Sequence, residues 1–158
     1  MRQLDFRWAR LPELTALDWH AVIAARERVF VVEQNCPYQD ADELDLASWH
    51  LIGTVDGAVA AYLRVVDPGR KWVHEGQYYA EPSIGRVLTA AGFRGQGLGL
   101  ALMREGIAGC ARLFPGQGIR ISAQSYLLDF YTGLGFAVVG EEYLEDGIPH
   151  HEMLRPGR

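Results

Sequence analysis

The segment from Ser83 to Gly99 sets the tightest limit on what this chain can fold into. A strand-like run, Ser83 to Thr89, meets a turn with glycines at 92, 95, 97 and 99, and a helical pattern then continues to about Phe114. The strand alternation puts Ile84, Arg86 and Leu88 on one face and Gly85, Val87 and Thr89 on the other. At a strand–turn–helix junction the first helical N–H groups are unpaired and carry partial positive charge. Such a junction binds phosphate or pyrophosphate. Gly95, Gly97 and Gly99 let the backbone approach an anion closely, and Arg94 adds a charge-assisted contact. The plainer alternative is a helix start with no ligand. Two nucleotide motifs are excluded by spacing. A Walker loop needs Gly-Lys followed by Ser or Thr, but Leu100 and Ala101 follow Gly99. The dinucleotide fingerprint counted from Gly95 and Gly97 needs glycine where Leu100 stands.

The rest of the chain predicts a mixed α/β (α+β) domain with helices on both faces of the sheet. Leu4 to Trp8 predicts an edge strand. Thr15 and Asp18 form a capping-box pattern with Asp in place of Glu, before a helix whose apolar stripe is Trp19, Val22, Ile23, Val29 and Phe30. Ser48–Val55 and Ala58–Val66 flank Asp56-Gly57, a two-residue hairpin turn. Arg70 to Glu81 carries no clear pattern. In the long second helix the expected buried stripe is Leu100, Met103, Ile107, Cys110 or Ala111, and Phe114. A strand (Ile119–Ala123), a short helix (Ser125–Leu134), a strand (Phe136–Glu141) and a last strand (Ile148–Leu154) follow.

Length and charge narrow the function classes. At 158 residues the chain is expected to be one domain, residues 1–158. No apolar run approaches the roughly 20 residues needed to span a bilayer, and no signal-peptide core follows Met1. Two cysteines make no disulfide framework, so the expected location is cytoplasmic. The net charge of −5, with no basic run, argues against a nucleic-acid partner. Two acidic runs, 40–45 and 141–146, are expected to be solvated loops. Within the first, Asp40 and Asp42 are the candidates for attracting a cationic acceptor. Adjacent His150 and His151 point to opposite faces of a strand and make a poor chelating pair, so no metal site is expected.

Arg94-x-x-Gly97-x-Gly99 resembles the pyrophosphate-binding signature of the GNAT superfamily. About 30 residues downstream, Phe130-Tyr131-Thr132-Gly133-Leu134-Gly135-Phe136 resembles that family's Phe-Tyr-x-x-x-Gly-Phe element. Phe30 to Asp40 (FVVEQNCPYQD) and Glu145 to His150 (EDGIPH) resemble its ElaA-like branch, and the likeness runs from about Phe6 to Leu154. The resemblance implies the GNAT fold: a central, mostly antiparallel sheet splayed between strands 4 and 5, with acyl-CoA in the opening. It also implies acetyl-CoA as donor, a small-molecule or protein amine as acceptor, and sheet-edge homodimers as a frequent assembly. The donor-contacting positions carried over are Val87, Leu88, Thr89, Arg94, Gly95, Gln96, Gly97, Leu98, Gly99 and Gln124. Two positions depart from the family pattern. Thr89 stands where many relatives have Val or Ile, and Gln124 where many have Asn.

For N-acyl transfer the amine must lose a proton, the carbonyl oxygen needs a hydrogen-bond donor, and the leaving thiolate needs an acid. The resemblance assigns the acid to Tyr131 and the donor to a backbone N–H near Leu88. A buried packing tyrosine is the plainer reading of Tyr131. The base is not readable; Glu33, His50 and Asp40 are the candidates. Glu33 lies where GNAT proteins line the acceptor site. Arg86 is a candidate for binding an acceptor carboxylate or for pairing with Glu33, with a structural salt bridge as the alternative. Cys36 has no base at useful spacing and is expected to be an unreactive thiol. The competing function is a non-catalytic acyl-CoA-binding sensor or interaction module.

Overall fold

The computed structural model describes residues 3–72 and 77–157. Part of the unpatterned connection from Arg70 to Glu81, residues 73–76, lies outside them. The chain folds into strand β1 (Asp5–Arg10), helix α1 (Ala16–Arg26), strands β2 (Trp49–Val55), β3 (Ala58–Val66) and β4 (Ser83–Thr89), helix α2 (Leu98–Leu113), strand β5 (Ile119–Gln124), helix α3 (Leu128–Thr132), and strands β6 (Ala137–Val138), β7 (Tyr143–Glu145) and β8 (Ile148–Arg155). The strands form one sheet in the order β1-β2-β3-β4-β5-β8-β6, with β7 also on β8. The β4–β5 pair is parallel; every other neighbouring pair is antiparallel.

Local chemistry explains the boundaries. The Thr15 hydroxyl accepts a hydrogen bond from the Asp18 N–H and the Asp18 carboxylate accepts one from the Thr15 N–H, so the predicted capping box starts α1. Asp56 and Gly57 both have positive φ, 51° and 82°, as the hairpin turn between β2 and β3 requires. Past Arg26 the first helix continues as a π-helical segment, Glu27–Glu33, which ends at Gln34. The expected strand after Phe136 shrinks to two residues, and β7 forms instead as a hairpin with β8 across Asp146-Gly147.

The sheet separates two cores. One face packs against α1 through Val22, Val29, Ile52, Tyr62 and Leu88. The other packs against α2 and α3 through residues including Leu51, Leu63, Ile84, Leu102, Met103, Phe136 and Met153. Ile84 and Leu88 therefore lie on opposite faces, against the simple alternation. The reason is a bulge. Tyr62 pairs with Leu88 and Arg64 with Gly85, so two β4 residues, Arg86 and Val87, oppose the single residue Leu63. Arg86 takes φ 52°, and the extra residue reverses the side-chain phase.

The buried stripe of α2 also differs from the apolar pattern. It is Leu98, Leu102, Met103, Gly106, Gly109 and Cys110, while Leu100 is exposed. Glycines supply the closest helix–sheet contacts. A Cβ at Gly109 would lie 2.1 Å from Trp8 Cζ2, so only glycine fits under that indole.

The acidic run 40–45 is not a solvated loop. Asp40 and Asp45 are buried, and with Asp42 they bind three arginines drawn from α1, β3 and β4. Arg26 reaches Asp40 and Asp45, both at 2.7 Å. Arg64 reaches Asp42 at 2.6 Å and Asp45 at 2.9 Å. Arg86 reaches Asp40 at 2.8 Å and Asp42 at 3.3 Å. The second acidic run is mostly exposed, but its residues 143–145 form strand β7 and not a loop.

Burial pushes the Asp45 carboxyl up, but the hydrogen bond and charge of Arg26, with Arg64, outweigh it and hold it below 3.8. Asp42 is held low in the same sense, by Arg64 and Arg86 against burial. A depressed folded-state value contributes stability above the unfolded pKa and loses it as pH falls through the folded one. Asp45→Asn is therefore expected to cost about 3 kcal/mol at neutral pH. The gap between variant and wild type in urea unfolding should narrow below about pH 4. A gap that stays constant from pH 7 to pH 3 would contradict the assignment.

Candidate active site

Between β4 and β5 the ladder has one register pair, Ser83 with Arg120, supported by the Arg120 N–H donating to the Pro82 carbonyl at 2.9 Å. Beyond it the strands part. The β5-facing backbone of β4 from Ile84 to Thr89 has no strand partner there. The opening is a cleft of ≈ 980 Å³, walled by β4, by Ile121–Gln124 of β5, and by residues from the π-helical segment, α3 and the β7–β8 hairpin.

At the C-terminal end of β4 the glycine turn leads into α2. Gly97 is the N-cap, with φ 74°, and has no side chain to cap the helix. The first helical hydrogen bond runs from Ala101 N–H to Gly97 O, so the N–H groups of Leu98, Gly99 and Leu100 have no intrahelical acceptor. A Cβ built at Gly95 or Gly97 meets no atom within 4 Å, so the loop faces open space. These groups fit a diphosphate: unpaired N–H donors, room in front of them and a neighbouring guanidinium. Arg94 is anchored by donating from Nε to the Thr89 carbonyl at 2.9 Å and from Nη2 to Glu33 at 2.6 Å, which leaves further N–H donors. Gln96 and Leu98 belong to the same turn; Leu98 is buried and anchors it to the core.

Tyr131 comes from α3 and reaches the cleft. It is 7% exposed and lies edge-on to Phe130 and Phe136, with ring centroids 5.1 and 6.0 Å away. Among the described residues its hydroxyl has no hydrogen-bond partner. Burial, with a smaller contribution from Tyr126, pushes its pKa up to about 12, so it holds its proton at neutral pH. Val87, Leu88, Thr89, Gln124, Gly99 and Glu33 line the same cleft. Gln124 approaches Gln34 across it, Nε2 to Oε1, at 3.5 Å.

The candidate acceptor residues divide. Arg86 lines the cleft, but its guanidinium pairs with Asp40 and Asp42 and not with Glu33. Asp40 is outside the cleft lining and saturated: it accepts from Arg26 and, at 2.5 Å, from the Tyr38 hydroxyl. His50 is 0% exposed and also outside the lining. Its Nε2 lies 2.9 Å from the Asp45 carbonyl, which can only accept, so Nε2 carries the proton. Nδ1 then accepts from the Tyr62 hydroxyl at 2.7 Å. Burial lowers the His50 pKa and keeps the ring neutral. Cys36 lines the cleft, with Sγ 3.9 Å from the Asp146 carbonyl, while Cys110 is buried and pushed up to about 12. Lys71 also lines the cleft. It sits in the stretch without periodicity, and no sequence pattern singles it out. Among the described residues no group of three or more His, Cys, Asp or Glu side chains is placed to hold a metal ion, and no helix is long and apolar enough to cross a membrane.

Known proteins share this arrangement. Residues 51–155 match the acetyltransferase (GNAT) domain family. A UPF0039 protein of Synechocystis sp. is 40% identical over 153 residues, covering 96% of this chain and 95% of its own. Protein ElaA of Escherichia coli is 38% identical over 146 residues, covering 90% of each chain. The crystal structure of ElaA superposes with a TM-score of 0.86 over 97% of this chain and 99% of that one. That of an acyl-CoA N-acyltransferase from Pseudomonas aeruginosa superposes with a TM-score of 0.87 at 42% identity, again over 97% and 99%. The splayed sheet, the open glycine turn and these relatives over nearly the full length lead to one assignment: the chain belongs to the GNAT superfamily of acyl-CoA N-acyltransferases, in the group that contains ElaA.

Proposed function

We propose that the enzyme transfers an acetyl group from acetyl-CoA directly to a primary amine, with Tyr131 as general acid. The observation that carries this reading is the Tyr131 hydroxyl: protonated, without a hydrogen-bond partner among the described residues, and in the cleft where β4 leaves β5. The amide groups of the α2 N-terminus and Arg94 hold the donor's diphosphate at one end. The unpaired edge of β4 supplies an N–H near Leu88 to the thioester oxygen as negative charge develops there. The amine nitrogen attacks the carbonyl carbon, the C–N bond forms and the C–S bond breaks. Tyr131 gives its proton to the departing sulfur. The proton lost by the amine leaves through water. Of the three candidate bases, Glu33 lines the cleft while Asp40 and His50 do not, so Glu33 is the proposed end of that water path. Gln124 is proposed to contact the donor's amide-bearing arm.

Two variants test the two halves of this reading. Tyr131→Phe removes a hydroxyl that bonds to no described residue, so stability should hardly change. Turnover should fall on the order of 100-fold or more, with the calorimetric Kd for acetyl-CoA unchanged; full turnover in the variant removes Tyr131 from the mechanism. Gly97→Val puts a β-branched residue at positive φ, at a cost of roughly 1–2 kcal/mol, and crowds the anion site. Donor Kd should rise tenfold or more. An unaltered Kd would place the diphosphate elsewhere. Acetyl-CoA binding with no thiol release for any amine would favour a sensor.

A further inference from the structure

Charged side chains stand among the apolar ones that line the cleft, and its arginines are matched within the protein. Arg64 and Arg86 share Asp42, Arg94 holds Glu33, and His150 Nε2 lies 3.4 Å from Glu145. The exception among the cleft's cations is Lys71: among the described residues no carboxylate lies within ion-pair distance of its ammonium. The side chain is only partly exposed. Burial, reinforced by the charges of Arg64 and Arg86, lowers its pKa, and Glu145 and Asp42 only partly oppose this. Asp42 is already committed to two arginines. A partly desolvated cation in the cleft wall, with no carboxylate partner among the described residues, is a poor place for a second cation and a good one for an anion.

Topology says whose anion it is. Lys71 lies in the β3–β4 connection, tied to Tyr79 by the Tyr79 N–H donating to the Lys71 carbonyl at 2.9 Å. That connection leads into the Ser83 end of β4. The glycine turn and Arg94 lie beyond the Thr89 end. Seven strand residues separate the two ends, roughly 20 Å at about 3.3 Å per residue. The donor's diphosphate end and Lys71 are thus on opposite sides of the bulge at Arg86, so the donor's phosphates are not the anion Lys71 meets. What approaches from the Lys71 side is the acceptor.

We propose that Lys71 is an acceptor-binding residue and that the physiological acceptor is an amine that also carries an anionic group, a carboxylate or a phosphate, held by this ammonium. The proposal rests on the transferase reading above and names its second substrate class. It also reverses the sign expected from the acidic run, whose Asp40 and Asp42 are paired with arginines.

The test uses the full chain and acetyl-CoA, with thiol release followed for amines of matched length ending in carboxylate, phosphate, carboxamide or a second amine. The carboxylate or phosphate series should exceed the carboxamide tenfold or more in kcat/KM, and the diamine should be poorest. Lys71→Met should erase that preference through KM with donor Kd unchanged, and Lys71→Arg should restore part of it. A preference for diamines, or one that survives Lys71→Met, overturns the proposal. A variant-free arm titrates succinate and, separately, inorganic phosphate while the Lys71 ε-CH2 resonance is followed. A saturable shift with one of them supports the proposal and tells carboxylate from phosphate; no shift with either overturns it. Calorimetry separates the two levels. Loss of acetyl-CoA binding refutes the transferase reading, whereas donor binding and thiol release without anion preference refute only the role of Lys71.

Discussion

The parting of β4 from β5 is the constraint to which the rest of the molecule answers. Two parallel strands in the middle of a sheet would normally be laddered along their length, because buried N–H and C=O groups without partners are costly. Here the ladder stops after Ser83 and Arg120. Each strand compensates on its other edge: β4 pairs with β3, and β5 pairs with β8 over six register positions. The unpaired inner edges then face a cavity into which an extended, amide-bearing ligand can be laid like an added strand. The same separation opens Tyr131 to the cleft, although its ring is packed between Phe130 and Phe136.

A strand with one free edge needs rigid support, and the buried ion cluster supplies it. Arg26, Arg64 and Arg86 meet Asp40, Asp42 and Asp45 with balanced charge. Such a cluster adds little net stability over a well-packed apolar one, yet it is intolerant of losing any one partner. Its value here is positional. It joins α1, the loop 34–48, β3 and the bulge residue of β4 in one connected set of contacts. Arg86 is held at positive φ by Asp40 and Asp42, and with it the phase of the strand that leads to Leu88. His50, buried beside Asp45 and Tyr62, belongs to this scaffold.

Features encoded by neighbours in sequence were legible before the structure was. The Thr15–Asp18 box, the Asp56-Gly57 turn and the strand–glycine–helix junction each depend on residues a few positions apart, so local chemistry suffices. The failures have a common cause in contacts between distant segments. Strand alternation through β4 assumes no extra residue, and nothing local announces the bulge at Arg86. Hydrophobicity favours Leu100 over Gly106 and Gly109, but the α2–sheet distance is set by Leu63 and Trp8, against which only glycine fits. An acidic run looks solvated until arginines 14 to 46 residues away are seen to converge on it. Lys71 is informative only because the arginines that line the cleft with it are already paired.

The cleft therefore has two ends governed by different rules. The end proposed for the diphosphate is built from backbone: amide hydrogens, glycines and a helix terminus, which many sequences can supply once the strand–turn–helix geometry is kept. The other end is built from side chains on the β3–β4 connection and the β7–β8 hairpin, segments that the sheet positions but does not dictate. Family membership accordingly explains the donor half of this site. On the reading proposed for Lys71, acceptor choice resides at this second end, where one change of charge alters which amine is held while the sheet and the bulge stay as they are.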